Sequence, residues 1–263
     1  MNQLAERFLA HYGRPARIFR APGRVNLIGE HTDYNGGFVM PAALDFATWV
    51  AAAPRQDGKL VIHSDNMDDS VTFSLEDTRR EGHHWSDYVC GVAVALAGRG
   101  LALPGADLLL WGNVPIGSGL SSSASIEVAS CLALLAVSGH TLELPEVAKV
   151  CQQAENEFVG MRCGIMDQFI SACGQAHHAL WLDCRSLEAR AMPLSDRVRL
   201  VICNTMVKHA LAGGEYNERR AACEEGSRQL NVPCLRDATL EQLRDLPAPL
   251  QKRCRHVVSE NLR

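Results

Sequence analysis

Residues 106–137, ADLLLWGNVPIGSGLSSSASIEVASCLALLAV, decide the fold. The apolar run 106–112 ends at a glycine and predicts a buried strand. From about residue 123 to 137 the pattern is that of an apolar helix, ended by Ser138-Gly139. Between them lies the loop 117–123. Gly117 and Gly119 admit backbone conformations that side chains block, so exposed amides can converge on phosphate oxygens. The helix that follows adds unpaired N–H groups and the positive end of its dipole. Ser121, Ser122 and Ser123 offer hydroxyls to phosphate or to a magnesium ion. No Gly-Lys-Ser/Thr follows, so this is not a Walker A loop, and the spacing is not G-x-G-x-x-G. A plain turn with a capping serine would need one such side chain, and four serines occur across 121–125.

Upstream the chain is β-rich. ARIFRAPGRVNL (17–28) predicts two short strands broken at Pro22-Gly23. Asn35-Gly36-Gly37 signals a turn, and 38–53 reads as extended, mostly buried chain. KLVIHSD and SVTFSL predict a hairpin across Asn66-Met67-Asp68-Asp69. Apolar residues from Trp85 follow a helical stripe up to Gly98. Downstream, Pro145 opens a helix that Gly160 ends. Strands are predicted over 179–184, 188–194 and 198–204, and helices over about 215–230, 239–245 and 250–263. Strands and helices come in blocks, which favours an α+β fold over a doubly wound sheet. A boundary near Pro193 to Arg197 divides the chain into 1–195 and 196–263.

The 263 residues are 47% hydrophobic and 21% charged, as in ordinary globular proteins. Lys and Arg number 26 against 30 Asp and Glu, a net charge of −4. No basic excess marks a nucleic-acid or anionic-membrane surface, and no stretch reads as a membrane span. The N-terminus carries Glu6 and Arg7 within its apolar pattern and predicts an amphipathic helix, not a signal peptide. Ten scattered cysteines without C-x-x-C spacing suit reduced thiols in the cytoplasm and argue against zinc.

Three further features carry chemistry. Arg24, Glu30, His31, Thr32 and Asp33 crowd carboxylates, an imidazole and a guanidinium into ten residues. Such groups can pair with sugar hydroxyls, each of which both donates and accepts, or can simply stabilise a polar loop. Asp167 is a lone carboxylate in the apolar stretch CGIMDQF. Its partner by chemical type is Arg24, and a helix N-cap is the alternative. Glu155 borders the buried stripe of the helix opened by Pro145. It could hold magnesium, although Glu155-Asn156-Glu157 also reads as a solvated face.

Together these segments resemble the GHMP small-molecule kinases, and within them the galactokinases. APGRVNLIGEHTDYNGGFVMPAAL is similar to the galactokinase signature nearly residue for residue, and NVPIGSGLSSSASIEVAS to the family's ATP-binding loop. CQQAENEFVGMRCGIMDQFISACGQ and LAGGEYNERRAACEE resemble two further blocks. The resemblance implies a two-domain GHMP kinase fold, its N-terminal domain like ribosomal protein S5 domain 2-like folds. It implies phosphoryl transfer from ATP to the anomeric hydroxyl of α-D-galactose. Asp167 would be the base, and Arg24 would pair with it and stabilise the transferred group. Glu30, His31, Thr32, Asp33, Gly164 and Tyr216 would bind the sugar. Ser64, Gly117, Ser118, Gly119, Leu120, Ser121, Ser122 and Ser123 would hold ATP, and Ser123 with Glu155 would ligate Mg2+. No obligate protein partner is implied.

The family's third, glycine-rich motif has no counterpart after residue 200, and the last helical pattern has no capping signal. The resemblance therefore implies an incomplete second domain and weak activity for the chain as it stands. Two alternatives go with it: a regulatory relative that binds galactose and ATP without turnover, and a kinase of N-acetylgalactosamine. The uninterrupted stretch from Gly117 to Ser125 favours the enzyme.

Overall fold

The computed structural model describes residues 2–80, 84–204 and 212–263. Helix α1 (Asn2–Tyr12) leads into β1 (Arg17–Asn26), β2 (Phe38–Val39), β3 (Pro41–Pro54), β4 (Lys59–Ser64) and β5 (Asp69–Ser74). Then come α2 (Asp87–Gly98), β6 (Ala106–Gly112), α3 (Ser122–Val137), α4 (Leu144–Gln153) and α5 (Met166–Cys173). The remaining elements are β7 (His178–Asp183), β8 (Ala189–Pro193), α6 (Ala212–Gln229) and α7 (Ala248–Asn261).

The strands form one mixed sheet with β3 as its spine. β3 pairs antiparallel with β1, β6 and β7, whereas β4 and β6 run parallel, joined through β5 and α2. Alternation along β3 divides its two faces. Val50 and Ala52 join the main core with α2, α3 and α4, built on Leu60, Ile62, Leu96, Leu108 and Leu134. Ala51 and Ala53 face α1, whose Leu4 and Phe8 close the other side. Burying those two side chains contributes roughly 3–6 kcal/mol before the entropy of ordering the helix.

Three expectations are corrected. Residues 17–26 are one strand, not two, because the break at Pro22-Gly23 is absorbed as a register shift between Pro22 and Arg24. Residues 198–204 form no strand: among the described residues no neighbour completes a ladder there, and Val198, Leu200, Val201 and Ile202 are exposed. The helix predicted over 239–245 shrinks to a 3-10 turn, Gln242–Asp245. Pro247 biases Leu246 toward extended backbone and stops it.

The helices after residue 211 have their own core, in which Cys223, Leu235, Leu243, Cys254, Val257 and Val258 are buried and Tyr34 packs from the side. α7 also fastens the turn after β1. Glu260 Oε1 accepts from the Gly29 and Glu30 amides at 3.0 and 3.3 Å, and Asn261 Oδ1 accepts from Phe38 N at 3.1 Å. No helix among the described residues is long and apolar enough to cross a membrane.

Candidate active site

The ladder of β1 resumes after its register shift with Arg24 opposite Ala43, and the Arg24 side chain reaches α5. Its guanidinium grips Asp167 in a fork, Nε to Oδ1 at 2.7 Å and Nη2 to Oδ2 at 2.7 Å. The third arm, Nη1, donates to the Gly119 carbonyl at 2.6 Å. The Ser121 hydroxyl donates to Asp167 Oδ2. Strand, glycine loop and α5 thus converge on one carboxylate whose side chain stays a quarter exposed. Asp167 is the second residue of α5, after Ile165 at the cap, so it is not the N-cap that its sequence also allowed.

The loop has the conformation its glycines permit. Gly117 and Gly119 lie at φ +72° and +77°, and Ser121 takes φ +57° without being a glycine, at the N-cap of α3. A left-handed serine is strained, and its bond to Asp167 holds it there. Ser118 bonds its own loop, Oγ to the Pro115 carbonyl at 2.6 Å. The buried Leu120 uses its carbonyl to accept from Arg24 N at 3.1 Å.

Beside the fork sit the polar residues of 30–33. Asp33 accepts from the backbone amides of Tyr34 and Met166. Burial, and then the nearby Asp167 charge, push its carboxyl up to about 6. A Cβ on Gly164 would overlap that carboxylate, so only glycine fits there. The His31 Nδ1 pairs with the Tyr34 hydroxyl at 2.9 Å, and its ring lies 5.8 Å from that of Tyr216. Burial lowers the His31 pKa, aided by Arg219, and favours the neutral imidazole. Burial raises the phenol of Tyr216, on α6, and the nearby charges of Asp33 and Asp167 raise it further. Glu30 is exposed and receives the Asn26 amide at 2.8 Å.

Thr32 is placed differently from its sequence reading. It is fully buried, and its hydroxyl faces the Gly29 and Phe38 carbonyls at 2.8 and 2.7 Å. It ties the turn together and presents no polar atom to a ligand.

On the other side of the loop, Ser64, Trp85, Tyr88, Trp111, Ser123 and Ile126 line a cavity of about 210 Å³. Flat aromatic walls next to an anion-binding loop suit a nucleobase joined to phosphates. The resemblance implied Ser64 near this region, but nothing in the sequence signalled the aromatic residues, which come from α2, the turn before it and β6.

Glu155 is buried, not part of a solvated face. It opens a π-helical turn, Ala154–Val159, in which its carbonyl accepts from Gly160 N at 2.9 Å. The wider turn points its carboxylate inward, where it receives the Ser123 hydroxyl, the Cys163 thiol at 3.2 Å and Gln168 Nε2 at 2.5 Å. Burial raises it from 4.5 to about 7. A desolvated carboxylate and a hydroxyl beside a phosphate loop are the hard oxygen donors that magnesium takes, usually one or two from protein. The donor set fits that ion.

A sheet backed by α2–α5, with a glycine-serine loop opening α3, defines a GHMP-type small-molecule kinase. Residues 87–175 match the family model for the GHMP kinases N terminal domain, and residues 6–54 the galactokinase galactose-binding signature. Mevalonate kinase of Methanococcus jannaschii shares the fold at TM-score 0.59 and 16% identity, over 94% of this chain and 80% of that one. A galactokinase of Roseiflexus sp. is 46% identical across 100% of this chain and 70% of its own length. The crystal structure of Lactococcus lactis galactokinase complexed with galactose superposes at TM-score 0.90. It is 34% identical, over 99% of this chain and 71% of that one. The chain belongs to the galactokinase family.

Proposed function

We propose that this site transfers the γ-phosphoryl group of ATP to the anomeric hydroxyl of α-D-galactose, giving galactose 1-phosphate and ADP. The observation that carries the reading is the three-way junction at Asp167. One carboxylate is held by Arg24 and by Ser121 of the phosphate loop, and it lies close to Asp33 and Tyr216 on the sugar side. A nucleotide in the aromatic cavity and a sugar at 30–33 would meet there. The bound galactose of the Lactococcus lactis enzyme supports the sugar.

Asp167 orients the attacking hydroxyl and takes its proton, and Arg24 neutralises charge on the group in transit. Glu30, His31 and Asp33 bind sugar hydroxyls, Gly164 leaves room for the Asp33 carboxylate, and Tyr216 closes the site from α6. The amides of 117–123 cradle the phosphates, with Ser122 and Ser123 at the helix mouth. Ser123 and Glu155 hold Mg2+, which when bound neutralises phosphate charge. Tyr216 comes from the second of two domains divided near residue 195. Ten cysteines without a bridge, together with the use of ATP, suit a reaction in the cytoplasm.

The test is ADP release by the purified chain with galactose, with N-acetylgalactosamine and with no sugar. Release that depends on galactose is expected. Calorimetric binding of galactose and ATP without turnover would instead define a regulatory relative, and preference for N-acetylgalactosamine would change the substrate.

A further inference from the structure

Behind Glu155 lies a group of polar side chains that the proposed reaction leaves without a task. Glu127 on α3 and Gln168 on α5 are both fully buried. Gln168 Nε2 donates to Glu127 Oε2 at 3.0 Å and to Glu155 Oε2 at 2.5 Å, which uses both of its protons. Glu127 Oε1, Gln168 Oε1 and Ser130 Oγ are buried with no partner among the described residues.

This arrangement is expensive if its purpose is only to fill the core. Buried polar groups that are incompletely satisfied are less stabilising than apolar residues of the same shape.

The position of Gln168 matters as much as its bonds. It follows Asp167 on α5, about 100° further round the helix. One turn of α5 therefore sends Asp167 to Arg24 and Ser121, and Gln168 to Glu155. Glu155 stands at the start of a π-turn, where the regular ladder that would otherwise fix a side chain's aim is interrupted.

We infer that Gln168, backed by Glu127, is a positioning residue for the metal: it holds the Glu155 carboxylate in one orientation and links it rigidly to the helix that carries Asp167. The inference rests on the reading of Ser123 and Glu155 as magnesium ligands. Neither Gln168 nor Glu127 touches substrate. Partners that orient a metal's ligands are typically worth about 10- to 100-fold in metal affinity.

The experiment measures ADP binding to the chain by calorimetry across a magnesium series and again in excess chelator, with galactose binding and thermal unfolding alongside. Gln168→Leu is expected to raise the magnesium concentration for half-maximal ADP affinity by about 10- to 100-fold. Metal-free ADP binding and galactose binding should hold. Glu127→Leu should act in the same direction. Glu127→Gln, which keeps an oxygen acceptor for the Gln168 amide, should recover most of that loss. If Gln168→Leu does not fold, the two Glu127 variants decide. An unchanged magnesium requirement in Gln168→Leu or in Glu127→Leu, beside a raised one in Glu155→Ala, overturns the positioning role alone. Equal losses of galactose and metal-free ADP binding overturn it as well, since they report general loosening. An unchanged requirement in Glu155→Ala overturns the ligand reading, and this inference with it.

Discussion

Asp33→Asn is expected to stabilise the chain at neutral pH while removing its grip on a sugar. The Asp33 carboxyl is raised from 3.8 to about 6 by burial and then by Asp167. The folded state therefore binds this proton more tightly than the unfolded state. Stability from the group is fullest below about pH 3.8, falls as pH rises through 6, and is flat above. Linkage puts the loss at about 2 kcal/mol by pH 5 and about 3 kcal/mol by pH 7.5. Asparagine escapes that loss. It offers one oxygen where the carboxylate serves the amides of both Tyr34 and Met166, which costs about 1 kcal/mol. The variant should then be about 1 kcal/mol more stable than the parent at pH 5 and about 2 kcal/mol more stable at pH 7.5. At about 2–4 °C per kcal/mol for a chain of this size, the gain is roughly 2–4 °C at pH 5 and 4–8 °C at pH 7.5. Scanning calorimetry at both pH values reads the difference, and galactose titration checks that binding is lost. A gain independent of pH, or a loss at pH 7.5, would refute the argument that Asp33 is held as an unfavourable buried charge.

Three other outcomes are expected. Asp167→Asn should lower kcat by about 100- to 10,000-fold while ATP still binds, read by steady-state rates beside nucleotide calorimetry. Gly164→Ala should abolish galactose binding and spare nucleotide binding, because its methyl group displaces the Asp33 carboxylate; equal loss of both ligands would point to misfolding. Thr32→Val should cost about 1–3 kcal/mol in urea unfolding and leave the galactose affinity of the folded fraction intact, since the hydroxyl serves two backbone carbonyls.

Much of the site could be read from the chain because its parts are local. The strand, glycine loop and helix of 106–137 lie within one continuous segment, and the hairpin of β4 and β5 is a matter of alternation and turn chemistry. The pairing of Arg24 with Asp167 spans 143 positions, yet chemical type alone suggested it, because a lone acid in an apolar stretch needs a cation. What escaped depends on three-dimensional placement. Glu155 sits in a string of polar residues, and its burial follows from a π-turn that helical periodicity cannot show. Thr32 lies among ligand-like neighbours, but its hydroxyl is consumed by backbone. The anchoring of Gly29 and Glu30 by Glu260 joins parts of the chain that no spacing connects. Residues 198–204 have the composition of a strand, but a strand also needs a neighbour, and composition does not supply one.

The π-turn at Ala154–Val159 also sets how this segment can change over time. A π-turn holds one residue more than an α-helical turn of the same rise. Here that extra residue lets Glu155 face Ser123 while Phe158 faces Gly91 and Phe73. Deleting a single residue between Glu155 and Phe158 would restore a regular helix and swing one of the two side chains by about 100°. The site would lose its carboxylate, or the core its aromatic ring. Insertions and deletions usually accumulate at helix ends, where geometry is forgiving. This helix end is an exception: substitutions can pass through it, but its length is fixed to the residue.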